Sequence, residues 1–366
     1  MKNLILLLIP LFVQSQDVGV GHWKDHQSYK SATYITESAN RIYCVAKGSL
    51  FYINKEENTL NRISKITGLS DIEINNIAYS EDLKTTIITY KNCNIDLIKN
   101  NEIINLSDIK RKKIIGLKLI NNITIRNEIA YLSCSFGLVL VDLIKKEIKE
   151  TYGIQKNGSL LEINDCAFKS DSQIIAATSL GVYYGNTSSV LNDPANWILN
   201  GLEINAAYVI HNDNVGCVLY KESGVSWLNI FYPENNDTTL FADSILKAIA
   251  YSNNSLYKVY NDSVIISNDG INVLACIKDE KITAAKYAIS DNEENIWIAD
   301  SINGLLKFKN NSYHETYIPE GPESNDIYSL EFLENELFVC HGGHFNFGVN
   351  YLNTTGVSIM QNNYDW

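Results

Sequence analysis

The sequence predicts an all-β fold, a β-propeller of seven four-stranded blades with the start of a further blade at the C-terminal end. Three observations carry this reading: a short phrase recurs at a steady interval, apolar residues alternate with a period of two, and one Asn-rich turn closes several of the units. "ENIWIADSINGLLKF", Glu294 to Phe308, repeats the pattern of "NRIYCVAKGSLFYI" from Asn40 and "NEIAYLSCSFGLVLVDL" from Asn127. Copies start at Asn40, Lys84, Asn127, Gln173, Asn214, Asn254, Asn295 and Asn335, at intervals of 44, 43, 46, 41, 40, 41 and 40 residues. A period of that length marks a repeat architecture in which each unit covers the apolar face of its neighbour.

Within each unit a second apolar run precedes the phrase, as in "NNIAYS", "NDCAFKS", "NAAYVIH", "LKAIAYS" and "AAKYAIS", and two further runs complete it. No long segment keeps apolar residues at helical spacing, whereas β-branched and aromatic residues alternate throughout. "KNN" at 99–101 and 309–311 and "QNN" at 361–363 read as hairpin turns, because Asn tolerates the positive φ such turns demand. Four strands per unit at this period, set radially, is the propeller pattern. Trp297 and its counterparts Tyr43, Tyr131 and Tyr257 then belong between adjacent blades as packing residues.

In chain order, residues 1–16, "MKNLILLLIPLFVQSQ", read as a secretory signal peptide: Lys2, an apolar run from Leu4 to Val13, then Ser15 and Gln16. The run is too short to span a bilayer, and no other segment reaches the ~20 apolar residues a transmembrane helix needs. Residues 17–320 form the propeller, with seven complete units from about Tyr29 to Ile318. Residues 321–366 form the first part of a further blade. Its third strand, "TGVSIM", leads to a hairpin and the chain stops at "YDW", which predicts a piece of a longer protein. Whether the eighth unit joins the first ring or opens a second, the repeat does not decide.

With 366 residues, 45% of them hydrophobic, and only 5 Pro, the chain has ample material for a core. Its formal net charge of −12, with "KRKK" at 110–113 as its densest basic cluster, excludes nucleic acid as a partner. "KRKK" itself reads as a solvated loop. The seven cysteines, Cys44, Cys93, Cys134, Cys166, Cys217, Cys276 and Cys340, sit singly in or beside apolar runs, which predicts buried free thiols rather than a disulfide framework or zinc site.

Strong catalytic motifs are absent: there is no G-x-S-x-G elbow, P-loop, H-E-x-x-H or dinucleotide fingerprint. "CHGGH", Cys340 to His344, has ligand types that suit zinc, but strand alternation points Cys340 and His341 to opposite faces, and two glycines open a wide hairpin. "DNEEN" at 291–295 lacks the spacing and glycine of a calcium loop and reads as a turn. "SNDG" at 267–270 is similar to the Asp-box turn of sialidases, without the aromatic that motif carries. No catalytic, cofactor-binding or metal-binding residue is therefore assigned, and no cofactor is expected.

"TGLSDIEINNIAYS", 67–80, and "DNEENIWIADSINGLLKF", 291–308, are similar to the repeats of two-component-regulator propellers, with Ala299 where those repeats usually carry Gly. The order of "WKDHQSY", 23–29, and "NRIYCVAKGSLFYINKEENTLNRISKITGLSD" resembles the N-terminal propeller of the PorZ family. "GGHFNFGVNYLNTTGVSIMQNNYDW" looks like that family's wide, glycine-introduced hairpin, with fewer basic residues and no Pro. This resemblance implies an exported, non-catalytic accessory protein of the type IX secretion system, held by partners on the outer surface of a Gram-negative outer membrane. Such proteins have two propellers and a C-terminal β-sandwich. They work beside a PorU-like sortase and other attachment-complex proteins in processing cargo and attaching it to anionic lipopolysaccharide, which is itself a candidate ligand. The alternatives are the periplasmic sensor propeller of a hybrid two-component regulator, and a secreted propeller glycan lyase or sialidase. The last needs His, Tyr, Arg or carboxylate groups converging on the central channel.

Overall fold

The computed structural model describes residues 23–100, 102–212, 215–231, 238–342, 356–361 and 365–366. The expected signal peptide, Asn101, Asn214, residues 343–355 with His344, and residues 362–364 lie outside the described residues. Seven four-stranded antiparallel sheets, each in sequential strand order, fall where the repeat places them, and a three-stranded sheet follows. The chain is a β-propeller.

The innermost strands are Ala32–Glu37, Ile74–Ser80, Ile120–Arg126, Ile163–Ser170, Ala206–His211, Ala248–Ser252 and Ala285–Ser290. Each packs on the next, and the seventh packs on the first, so seven blades close the ring. At the closure Ile289, Trp297, Ala299 and Leu305 share one apolar cluster with Ile35, Cys44, Ala46 and Phe51. Polar ties reinforce it: the Tyr317 hydroxyl donates to Asn58 at 3.1 Å, and the Asn292 N–H donates to Glu37 at 3.1 Å. Glu37 also pairs with Lys55 at 2.7 Å, both side chains being mostly buried.

The turns form for the reasons their residues predict. Lys84, Asn127, Asn254 and Asn335, which open copies of the repeated phrase, all have positive φ, as do Asn100, Asn310 and Asn311 of the "KNN" turns. Tyr43, Tyr257 and Trp297 are buried in inter-blade clusters and Tyr131 packs against another. One element has no place in the repeat. A two-stranded hairpin, Gln155–Lys156 with Ser159–Leu160, is inserted between the third and fourth blades around an Asn157-Gly158 turn with φ of 51° and 78°.

The three-stranded sheet, Ile327–Leu333, Glu336–His341 and Val357–Met360, stands outside the cycle of seven. Hydrogen bonds seat it against the segment leading into the first blade. Ser28 N–H donates to Asn325 at 2.7 Å and the Ser28 hydroxyl to the Glu323 carbonyl at 3.1 Å, while Lys47 pairs with Asp326 at 2.5 Å. Ile327–Leu333 is exposed along its whole length, unlike the ring's innermost strands, because no neighbouring blade covers it among the described residues.

Candidate functional site: the central channel

The innermost strands carry a shared irregularity. In the first, second, fourth, fifth and seventh blades the pairing shifts by one residue at the second position, and in the third the same shift occurs opposite Asn121. A bulge of this kind re-aims the side chains beside it. Here it does two things.

The bulged residue reaches the next blade. Asn75 donates to the carbonyl of Ile120, Asn121 to that of Ile163 at 2.9 Å, and Asn164 to that of Ala206 at 2.8 Å. Each acceptor is the first residue of the following innermost strand, so three successive joints carry the same amide staple. "INN" at 74–76 and 120–122 and "IND" at 163–165 are its signature in the sequence, a signal the period analysis passed over.

The residue after the bulge occupies one level of the channel, and around the ring this level reads Tyr34, Asn76, Asn122, Asp165, Tyr208 and Tyr287, with Ala250 on the sixth blade. All but Asn76 line a channel cavity of about 470 Å³. One arc is thus amide and carboxylate, the other phenol. Asn122 donates to Asp165 Oδ1 at 2.6 Å, which also accepts from the Cys166 N–H at 2.8 Å, and Val209 N–H donates to Asp165 Oδ2 at 3.0 Å. Burial pushes the Asp165 carboxyl up to about 6, against the lowering effect of these three donors. On the facing arc Tyr34 and Tyr287 stack with centroids 4.3 Å apart, and burial raises the Tyr34 phenol to about 12 and those of Tyr208 and Tyr287 above their usual value.

At neutral pH the channel therefore offers neutral phenol groups and aromatic faces beside one carboxylate that accepts from three protein donors. Arg126 reaches the same cavity, but it stacks on Phe168 at 4.4 Å, pairs with Asp171 and donates to the Ser170 carbonyl at 2.8 Å. These groups tie neighbouring blades together, Asn122 to Asp165 and Asp165 to Val209.

The motifs singled out in the sequence are structural in the described residues. Asp269 accepts from the backbone N–H of Ile271 and Asn272, making "SNDG" an Asx turn. In "DNEEN" the Asp291 carboxylate accepts from the Glu293 and Asn295 N–H groups. His341 lies 2.7 Å from the Ser358 hydroxyl and 3.4 Å from the Asp326 carbonyl, and no cluster of three metal-ligating side chains occurs among the described residues. All seven cysteines are free, but only five are buried as the sequence predicts: Cys276, on the outermost strand of the sixth blade, is exposed and Cys340, in the three-stranded sheet, is half-buried. No described helix is long and apolar enough to cross a membrane.

Residues 42–198 match the PorZ N-terminal β-propeller family of the type IX secretion system. The structure of PorZ from Porphyromonas gingivalis, described as an essential bacterial surface component of that system, superposes with a TM-score of 0.76 at 22% identity, over 89% of this chain and 44% of that one. The chain thus spans less than half the length of PorZ. Two other propellers share the architecture. The extracellular domain of a protein from B. thetaiotaomicron, described as a hybrid two-component system, gives a TM-score of 0.60 at 12% identity over 93% of this chain and 47% of that one. The WD40 propeller domain of Doa1 gives 0.57 at 10% identity over 78% and 94%. No curated protein matches. The family match begins in the first blade and ends in the fourth, and the similarity over most of the chain is one of fold.

Proposed function

We propose that this protein is a non-catalytic binding subunit of a type IX secretion attachment complex, exported and held by partners at the outer-membrane surface. The observation that carries the reading is the PorZ family match over residues 42–198, together with a fold similar to PorZ over most of the chain. The channel chemistry is compatible with a binding role, since Asp165 accepts from three protein donors and the phenols are neutral. In this role the ring is a rigid platform whose loops engage a sortase of the PorU type, and its aromatic and amide groups are suited to sugar hydroxyls of an anionic lipopolysaccharide.

The sensor-propeller alternative rests on the repeat resemblance at 67–80 and 291–308 and on fold similarity at 12% identity. Affinity purification of the parent protein from detergent-solubilised envelopes separates the two. Recovery with a sortase and outer-membrane attachment components is the expected result; fractionation with the inner membrane and a kinase module overturns it.

A further inference from the structure

A second cavity, of about 580 Å³, opens at the outer mouth of the joint between the second and third blades, away from the channel. Its floor continues the apolar core of that joint. Ile109 and Val139 belong to the core, Ile114, Phe136 and Ile148 pack against it, and Leu160 of the inserted hairpin forms one wall.

The rim carries the end of the basic segment that the fold itself left unexplained. Of its four residues, Lys110 pairs with Asp71 at 2.6 Å and Arg111 with Asp108 at 3.4 Å. Lys112 and Lys113, the two that border the cavity, form no ion pair among the described residues. The Lys118 ammonium donates to the carbonyls of Ile109, Lys110 and Lys112 at 2.9–3.4 Å, which fixes the loop so that both lysines stay at the rim. Asp108 and Glu147 also border the opening. Arg111 occupies Asp108, so two ammonium groups face one free carboxylate, a local positive excess in a chain of net charge −12.

We propose that this cavity binds a single aliphatic chain bearing an anionic head group, with the chain on the apolar floor and the head between Lys112 and Lys113. Its volume lies in the range of small-molecule sites, about 300–1,000 Å³. The floor gains from each methylene removed from water, and a carboxylate or phosphate relieves the repulsion between two adjacent unpaired ammonium groups. Leu160, which lines the opening and is half exposed, extends the apolar surface that such a chain would cover. The site belongs to this chain alone, so it stands or falls independently of the secretion role.

Calorimetric titration of the purified protein with hexanoate, octanoate, decanoate and decyl phosphate, each below its micelle-forming concentration, tests it. The expected result is one-to-one binding that tightens about fourfold per added methylene. The exposed double substitution Lys112→Glu with Lys113→Glu should weaken decanoate about tenfold or more while leaving decanol binding unchanged, and Leu160→Trp should weaken both. Preference for decanoate or for decyl phosphate identifies the head group within the same site. Absence of binding by either overturns the proposal, as does a decanoate affinity indifferent to the lysine substitutions. Binding to phosphatidylglycerol vesicles without binding of the monomeric amphiphiles also overturns it, making the rim a membrane contact instead.

Discussion

The Trp297 indole N–H donates to the Asp291 carboxylate at 2.8 Å, and both residues are about 1% exposed. The same carboxylate accepts from the backbone of Glu293 and Asn295 and from the Asn295 side chain. One buried carboxylate therefore sets the "DNEEN" turn and also orients the ring that packs the seventh blade on the first. Replacing Trp297 with Phe keeps most of the packing but removes a hydrogen bond to a charged, buried acceptor, which costs about 2–3 kcal/mol. A loss of that size in the unfolding free energy from urea titration is expected; an unchanged value would show that the turn holds without the indole.

Asp165 makes stability depend on pH with a definite sign. Its folded pKa, about 6, lies above the ordinary carboxylate value, so between about pH 4 and 6 the native state binds more protons than the unfolded one. Its contribution is fully present below about pH 4 and is lost as the pH rises through 6, to the extent of about 2–3 kcal/mol. Asp165→Asn lowers stability outright, because an amide nitrogen meets one of the three donors, but it should flatten this slope. Melting temperatures of both proteins from pH 4 to 7 check it; parallel curves would assign the slope to other groups.

The thiols should separate by burial. Cys44, Cys93, Cys134, Cys166 and Cys217 are buried, and burial pushes the Cys166 and Cys217 thiols up to about 12, where almost no reactive thiolate forms. Cys276 is exposed and Cys340 half-buried. Iodoacetamide on the native protein, followed by peptide mass analysis, should modify Cys276 first and Cys340 more slowly, with the other five protected until denaturant is added. Early labelling of Cys166 would mean that the channel joint opens readily.

The blades were legible in the sequence because every copy of the phrase meets the same environment, so selection for packing writes the same alternation at Tyr43, Tyr257 and Trp297. The channel was not. Its residues, Tyr34, Asn122, Asp165, Tyr208 and Tyr287, mix phenol, amide and carboxylate and lie 40 or more residues apart, and the shared bulge brings them to one level. The Asn75, Asn121 and Asn164 staples had a visible signature in "INN" and "IND", but a period search built on apolar alternation does not weigh polar residues. The inserted hairpin carried its own Asn157-Gly158 signal and was hidden by the assumption that strands come in fours. The cavity above Lys112 and Lys113 needed the fold, since Leu160 and Phe136 reach it from different elements.

Closure of the ring by the seventh blade predicts that the eighth sheet is dispensable for the propeller. A chain ending at Glu320 loses the bonds from Ser28 to Asn325 and Glu323, a cost of about 1–3 kcal/mol, but keeps the Trp297 to Phe51 cluster that joins the last blade to the first. Its far-ultraviolet spectrum should remain that of a β protein, and its melting temperature should fall by only a few degrees. Gly321 offers a finer test, because a Cβ there would lie 2.0 Å from the Gln27 carbonyl oxygen, a contact between two backbones that no rotamer change relieves. Gly321→Ala should therefore unseat the sheet while sparing the ring, exposing 321–342 to limited proteolysis without a loss of stability larger than that of the truncation. If instead the truncated chain fails to fold while Gly321→Ala melts far below the intact protein, the first ring depends on the eighth sheet and the seven-blade closure is not self-sufficient.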